Sequence, residues 1–388
     1  MSPRSKTSKG NLVDHLTFSL GIFNRRKSLW KALQLFETID QQSNLYVESV
    51  LEIVGLETTS NFERATKLLD EIGNDKVAIK EHQTAFHFTS AHLFSFQARH
   101  QEALASIKRA IRQAKSDENT GMERTCRTRL GAILVGMGKL EDAKSVLLDL
   151  VEELRPSNDA NRLGMNLYQL ANVYRQMGDF ENCSKLLDES ISIHKVTGNS
   201  GHLFLSHQLI AEVLNHEKRY DEAEKMLIET ISRAEEHKFE TLISRCSISL
   251  FNAYLGKEDF DQAERALSRA ETHYSSIGSI DAMRGVTFKK SLLAERVGDH
   301  KACSSCCVDC IRRDAKRMVL FQSFDGVIKD KLLQSLKNHL LTDSSDHVKD
   351  VVKQLTLIES DYEGHDYREE LQTLISEVRA LVPKDERE

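Results

Sequence analysis

The sequence predicts an all-α protein built from a repeated pair of antiparallel helices, and three observations carry this prediction. The 388 residues include only three prolines, and none lies between Pro156 and Pro383, so a long stretch lacks the residue that interrupts helices. Aromatic residues make up 6% of the chain, while Ala, Leu, Glu, Lys and Arg are frequent, which favours helix over strand. One short pattern also recurs at a constant spacing of 40 residues, which indicates an array of similar units.

The repeating pattern is a short turn, then charged and mostly aromatic residues, then a small residue. It occurs as MGKLEDA (137–143), MGDFENC (177–183), EKRYDEA (217–223), KEDFDQA (257–263) and VGDHKAC (297–303). ARHQEA, which ends at Ala103, continues this spacing towards the N-terminus, whereas SNFERA, which ends at Ala65, is two residues out of step. A constant period over six copies predicts helix pairs that recur every 40 residues from about residue 84 to residue 315.

Each unit contains two amphipathic helical segments. In the clearest copy, LYQLANVYRQ (167–176) places apolar or small residues at the i, i+3, i+4, i+7 spacing of one helical face. FENCSKLLDESISI (180–193) has the same spacing. Gly178-Asp179 lies between the two segments, and this dipeptide predicts the end of one helix and the start of the next.

These residues resemble the signature of the tetratricopeptide repeat (TPR). The resemblance is carried by Leu170-Ala171, Tyr174, Gly178-Asp179-Phe180 and Cys183. The 40-residue spacing is similar to the long-helix arrays of maltose-regulator-type activators, kinesin light chains and Rap-type peptide-sensing regulators. The resemblance covers roughly residues 46–315 and implies a right-handed superhelical solenoid whose first helices line a concave, partner-binding surface. The last copy departs from it, with Lys290 and Ser291 where Leu and Ala are expected.

The repeat and its flanks divide the chain into five segments. Residues 1–10 are a basic, polar tail, and residues 11–45 contain amphipathic helices with the only tryptophan. Residues 46–315 hold about seven TPR-like repeats. Residues 316–382 contain three helical patterns without the Gly-Asp-aromatic turn, which are interpreted as degenerate repeats and a capping helix. Residues 383–388 form a short tail.

Composition excludes several classes of function. The net charge is −6 and no long basic stripe is present, which argues against nucleic-acid binding by phosphate neutralisation, and no helix-turn-helix is recognisable. No apolar stretch reaches the roughly 18 residues that a membrane span needs, and the N-terminus lacks the apolar region of a secretory signal. The sequence therefore predicts a cytoplasmic protein that binds neither nucleic acid directly nor a membrane. The oligomeric state is not specified.

The cysteine-rich stretch CSSCCVDC (303–310) has two interpretations. Its four thiols lie on one helical face, which suggests a metal or redox site. However, Cys303 aligns with Cys183 and with alanines of other repeats, and Cys307 and Cys310 align with apolar or small residues. Because cysteine packs as a small hydrophobe, we favour the second interpretation: Cys183, Cys303, Cys307 and Cys310 are buried packing residues without a metal.

No sequence motif indicates catalysis. The chain has no G-x-x-x-x-G-K-[ST], H-E-x-x-H or G-x-S-x-G motif, and its 15 histidines are scattered. The sequence therefore predicts a non-enzymatic protein without a catalytic residue, metal or cofactor.

The predicted function is a protein–protein interaction scaffold, adaptor or regulator that binds a partner protein, peptide or segment in the concave groove. The candidate partner-binding residues follow the packed residues around the first helix of each pair. They are Tyr168, Asn172, Arg175, Gln208, Glu212, Asn215 and Asn252. An Asn amide offers both donors and acceptors to an extended peptide backbone. We expect Asn172, Arg175, Asn215 and Asn252 to point into the groove without internal partners. Two alternatives stay open: a Rap-like, peptide-responsive regulator of a signalling protein, and a sensor arm that works with a separate transcription factor or effector enzyme.

Overall fold

The computed structural model describes residues 44–57, 62–74, 80–97, 99–276, 280–317, 326–341, 343, 345–360 and 367–382, and within them every regular element is an α-helix. The predicted tails 1–10 and 383–388, and nearly all of the predicted helices 11–45, lie outside these residues. The all-α fold of TPR-like helix pairs is confirmed. None of the described helices is long and apolar enough to cross a membrane.

The chain forms two compact units, residues 1–186 and 187–388. The helices described in unit 1 are α1 (Asn44–Glu57), α2 (Phe62–Asn74), α3 (Gln83–Phe96), α4 (His100–Ser116), α5 (Thr120–Gly136), α6 (Leu140–Leu154), α7 (Ala160–Gln176) and the first part of α8 (Phe180–Thr197). Those described in unit 2 are the rest of α8, α9 (Ser200–His216), α10 (Tyr220–Glu236), α11 (Glu240–Gly256), α12 (Phe260–Ser276), α13 (Ile280–Arg296), α14 (His300–Arg317), α15 (Gly326–Leu340), α16 (Asp346–Ser360) and α17 (Tyr367–Leu381).

The helices follow the sequence period closely. From α4 to α14 each helix begins 20 residues after the one before it, so a pair occupies 40 residues, as predicted. We call the first helix of each pair the A helix (α3, α5, α7, α9, α11 and α13) and the second the B helix.

The Gly-Asp turn explains how one helix ends and the next begins. Gly178 has a φ of +79°, a conformation that costs glycine nothing, and the Asp179 N–H donates to Tyr174 O at 2.9 Å, which closes the C-terminus of α7. Asp179 Oδ1 then accepts from Asn182 N at 3.1 Å, which satisfies one of the free N–H groups at the start of α8. A residue of positive φ recurs at eight turns: Glu118, Gly138, Gly178, Gly198, Lys218, Lys238, Glu258 and Gly298.

Small residues let the two helices of a pair pack closely. A Cβ added to Gly131 on α5 would lie 2.7 Å from Leu147 Cγ on α6, so only glycine fits there without displacing the leucine. Ala143 on α6 is fully buried, as are Ala223 and Ala263 at the equivalent repeat position. The small-residue position of the repeat is therefore the contact between helices, as the TPR signature implies.

The cysteine-rich helix α14 lies in an apolar cluster of unit 2. Cys303, Cys307 and Cys310 are at most 1% exposed and belong to one apolar cluster with aliphatic side chains of α15, α16 and α17. Cys183, in α8, is also fully buried. The prediction that these four cysteines are buried is confirmed. Within the described part of the chain, no group of three or more His, Cys, Asp or Glu side chains is placed to hold a metal.

Candidate functional site

The A helices of unit 2 carry a hydrogen-bonded set of polar side chains, which we call the polar ladder. Its members lie at i, i+4 and i+7 on α9 and on α11, so each helix presents its contribution on one face. The polar ladder consists of Gln208, Glu212 and Asn215 on α9, Arg245, Ser249 and Asn252 on α11, and Lys289 on α13.

Gln208 is the centre of the polar ladder. It is only 2% exposed, and its Nε2 donates to Glu212 Oε1 and, at 2.8 Å, to Ser249 Oγ. Its Oε1 accepts from Arg245 Nη2 at 3.1 Å. Ser249 Oγ in turn donates to Glu212 Oε1 at 3.3 Å. Because each bond fixes the next side chain, Gln208 and Ser249 form a rigid floor below the half-buried Glu212.

Asn215 bridges α9 to the backbone of α11. Its Nδ2 donates to the Ser249 carbonyl at 2.8 Å. Its Oδ1 is buried and has no hydrogen-bond partner among the described residues. A buried acceptor without a donor is costly, so the orientation of this amide is held by the bond from Nδ2 alone.

Lys289 joins α13 to α11. Its Nζ donates to Asn252 Oδ1 at 2.8 Å and lies 5.3 Å from the centroid of the Phe251 ring, a cation–π geometry. Burial lowers the pKa of Lys289, and the carboxylate of Glu212 partly opposes that effect. Lys289 thus holds the amide of Asn252 in one orientation and leaves its Nδ2 available.

In unit 1 the predicted residues lie on α7 and pair locally. Arg175 donates to Asn172 Oδ1 from Nη2 at 3.0 Å and from Nε at 3.3 Å. Both side chains are half-buried, whereas Tyr168 is buried at 7% exposure. Tyr168 therefore packs under this surface.

The expectation that Asn172, Arg175, Asn215 and Asn252 have no internal partners is wrong. Asn172 and Arg175 bond to each other because residues three apart are neighbours on a helix. Asn215 and Asn252 bond to the next A helix, because the repeat places polar residues of successive A helices side by side.

Three members of the polar ladder, Arg245, Ser249 and Lys289, were missed in the sequence prediction, and two of them share one repeat position. Ser249 and Lys289 lie one period of 40 residues apart, and Arg129, Gln169 and Leu209 occupy the same position in the other copies. A position that is packed in every repeat would not be polar in four of five copies. Comparing the copies position by position would have found it.

Some of these repeats match a known family of repeat proteins. The tetratricopeptide repeat family matches residues 163–236, which run from the fourth residue of α7 to the end of α10. A comparison with curated protein sequences finds no match.

Three solved structures are similar over most of the chain. Aspartyl phosphate phosphatase F from Bacillus subtilis superposes with a TM-score of 0.53 and 13% identity, over 98% of this chain and 95% of that one. A Rap protein complexed with competence and sporulation factor gives 0.52 and 14%, over 86% and 99%. A signal transduction ATPase with numerous domains and a TPR sensor, from Pyrococcus horikoshii, gives 0.54 and 12%, over 88% of this chain and 49% of that one. At these identities the likeness shows the fold.

Proposed function

We propose that this chain, whose repeats are of the tetratricopeptide type, is a non-enzymatic interaction scaffold or regulator that binds an extended segment of a partner protein or peptide on its A helices. The single observation that carries the proposal is the polar ladder, a rigid, half-buried set of amides with unused hydrogen-bonding capacity. The proposed contacts are Asn172 and Arg175 of unit 1 and Glu212, Asn215 and Asn252 of unit 2, with Tyr168 and Gln208 supporting them from below.

The chemistry of the polar ladder suits a peptide backbone. Each peptide unit offers one N–H and one C=O, and the half-buried carboxylate of Glu212 can accept from the first while Asn252 Nδ2 donates to the second. Both side chains are already held by bonds to the protein, so binding costs little side-chain entropy. Such contacts do not select particular side chains of the ligand, which fits a regulator that captures a segment by its extended conformation.

A second candidate is a peptide-responsive regulator of a signalling protein, acting in the cytoplasm. The observation that favours it is the extent of the similarity to the Rap protein that was solved with competence and sporulation factor, 99% of whose length is covered. A sensor arm for a separate transcription factor or effector enzyme is the third candidate, supported by the likeness to the ATPase with a TPR sensor.

The proposal is tested with a partner captured from the native host by the wild-type chain and then purified. Its affinity is measured for two variants. In the A-face variant, Ala replaces Asn172, Arg175, Asn215 and Asn252. In the control variant, Ala replaces the exposed B-helix residues Lys225, Ser232 and Ser268, which also removes one positive charge.

The A-face variant should bind the partner at least about tenfold more weakly, because each buried hydrogen bond lost in the complex costs on the order of 1 kcal/mol. The control variant should bind like the wild type. The proposal fails if the A-face variant binds normally while deletion of residues 1–45 or 316–388 abolishes binding.

A further inference from the structure

Three cations on the B helix α4 of unit 1 lie on its exposed face without an acidic partner. Lys108, Arg109 and Arg112 are all exposed. Among the described residues, none of the three side chains forms an ion pair or a hydrogen bond. At 3.6 residues per turn they lie within about 100° of the helix circumference. They therefore form one patch, which we call the α4 cation cluster.

The other B helices have no such cluster at the equivalent repeat positions. With the period of 40 residues, these positions hold Leu148, Asp149 and Glu152 in α6, Asp188, Glu189 and Ser192 in α8, Ile228, Glu229 and Ser232 in α10, Ser268, Arg269 and Thr272 in α12, and Val308, Asp309 and Arg312 in α14. Both arginines in this set are paired with a carboxylate, Arg269 with Glu235 and Arg312 with Asp309. The repeat itself therefore does not require cations here, and the cluster is specific to α4.

The three like charges are unfavourable for the folded chain by itself. Residues three or four apart are neighbours on a helix surface, and Arg112 follows Lys108 by four residues and Arg109 by three. The only acidic residue of α4, Glu102, pairs with Arg99 instead. An anionic group from another molecule would remove the repulsion that the chain leaves in place.

The positive field of the cluster reaches the neighbouring helix α3. The pKa of His87 on α3 is lowered first by burial and then by the positive charges of Arg109 and Arg112. An anion bound at the cluster would offset these charges and raise the pKa of His87. His87 therefore reports on the occupancy of the cluster.

The surroundings of the cluster fit a short acidic helix better than a nucleic acid or a lipid surface. α4 contains no Phe, Tyr or Trp, so it offers no ring on which a nucleic-acid base could stack. No large apolar side chain of α4 is exposed, so none can enter a bilayer. The net charge of −6 repels an extended polyanion beyond the cluster, whereas a short helix meets the cluster alone.

We propose that the α4 cation cluster is a docking surface for the acidic face of a helix on a partner protein. Carboxylates at i, i+3 and i+4 of that helix match the spacing of Lys108, Arg109 and Arg112. Complementary charges of this kind select the partner and speed its association more than they add affinity. The surface lies on a B helix of unit 1, so it is separate from the contacts proposed on the A helices and does not rest on them.

Three helical peptides on the full-length protein test the docking surface at low ionic strength. Each is an alanine-based peptide of sixteen residues, acetylated and amidated, and positions five, eight and nine are all Glu, all Gln or all Lys. The readout is the NMR resonance of His87 Cε1–H, assigned with the variant His87→Gln. We expect the Glu peptide to shift this resonance saturably and to raise the pKa of His87, while the Gln and Lys peptides do neither. Added salt should weaken the binding of the Glu peptide.

Matched variants separate the cluster from a general charge effect. The cluster variant, with Lys108→Gln, Arg109→Gln and Arg112→Gln, should bind the Glu peptide at least tenfold more weakly, and isothermal titration calorimetry measures this affinity. The control variant loses the same charge from three exposed lysines elsewhere in unit 1 and should change binding less than twofold. It carries Lys67→Gln, Lys139→Gln and Lys185→Gln.

A charge-reversed variant, with Lys108→Glu, Arg109→Glu and Arg112→Glu, should lose the Glu peptide and bind the Lys peptide. Far-UV circular dichroism checks that each variant is folded. The single variant Arg112→Gln, at the centre of the cluster, should weaken the Glu peptide severalfold and keeps the test valid if a triple variant unfolds.

The docking surface is overturned if no peptide shifts His87, if the Gln peptide binds as tightly as the Glu peptide, or if the cluster variant binds the Glu peptide like the wild type. A sixteen-base-pair DNA duplex or a phosphatidylserine vesicle that binds more tightly than the Glu peptide, and is lost in the cluster variant, would replace the acidic helix as partner. The A-face variant retains the cluster and should bind the Glu peptide like the wild type, so the two proposals can fail separately.

Discussion

The candidate polar side chains of unit 2 bond from one A helix to the next, whereas Asn172 and Arg175 of unit 1 bond to each other within α7. In unit 2, Gln208 reaches Ser249 on the next A helix. In unit 1, Arg175 donates to Asn172 three residues back, and a bond between A helices joins Thr128 to Asn166 at 2.8 Å. A buried polar group needs a partner, and the buried Gln208 obtains two of its partners, Ser249 and Arg245, from the next A helix. Truncation of Gln208 should therefore reduce stability more than truncation of the half-buried Asn172.

The largest expected effect is that of Gln208→Ala on stability. The change removes a buried amide that bonds to three side chains, which should lower the free energy of unfolding by about 2 kcal/mol. Asn172→Ala, the matched truncation of a half-buried amide in unit 1, should cost less than about 0.5 kcal/mol. Urea unfolding followed by circular dichroism measures the free energy of unfolding of both variants. Equal losses in Gln208→Ala and Asn172→Ala would contradict the difference between the two surfaces.

The next effect is the contribution of His92, in unit 1, to the pH dependence of stability. The pKa of His92 is lowered to about 3 in the folded chain, so below about pH 6.5 the unfolded chain binds a proton that the folded chain does not. Stability should fall as the pH falls from 6.5 towards 3, by about 1–2 kcal/mol at pH 5. Urea unfolding at pH 7 and pH 5 should show this slope in the wild type and a smaller slope in His92→Gln. His216→Gln, at an exposed site in unit 2, should keep the wild-type slope; an unchanged slope in His92→Gln would contradict the assignment.

A smaller effect of the same sign, in a higher pH range, is expected from Lys289. Burial lowers its pKa, so just below the ordinary lysine pKa of about 10.4 the unfolded chain holds more protons than the folded chain. The stability of the wild type relative to Lys289→Met should therefore rise from pH 8 to pH 10, by less than about 1 kcal/mol. If the stability difference between the wild type and Lys289→Met falls from pH 8 to pH 10, the side-chain carbonyl of Asn252 and the carboxylate of Glu212 raise the pKa of Lys289 more than burial lowers it.

The reactivity of buried cysteines on the packed side of the A helices should be the same in the two units. Cys126 and Cys246 occupy one repeat position, both are fully buried, and burial raises the pKa of each thiol to about 12. Because a thiolate is the reactive form, both should react with iodoacetamide at similarly slow rates in the native protein. Mass spectrometry of the two alkylated sites measures this; fast labelling of one site alone would indicate local opening of its unit.

Much of the fold was predictable because the repeat fixes the neighbours of each helix. The small residues at Ala143 and Cys183 mark helix contacts that recur with the period, and Gly178-Asp179 marks a turn whose backbone geometry glycine and aspartate favour. The partners of the polar residues were not predictable in this way. Asn252 is held by Lys289 from the next repeat, and the side chains at these positions change from copy to copy.

The burial of the cysteines was predicted from repeat alignment, but its cause lies elsewhere in the chain. Cys307 lies in one apolar cluster with side chains of α15 to α17, helices whose sequences lack the repeat signature. Amphipathicity shows that such helices have an apolar face. It does not show which surface that face covers, because the packing depends on tertiary contacts between distant segments.

Hydrogen–deuterium exchange of the chain with and without its purified partner tests the central claim most directly. If the A helices bind the partner, exchange should slow in α7, α9 and α11 and stay unchanged in the B helices α10 and α12. Protection confined to the B helices or to α15, α16 and α17 would contradict binding on the A helices.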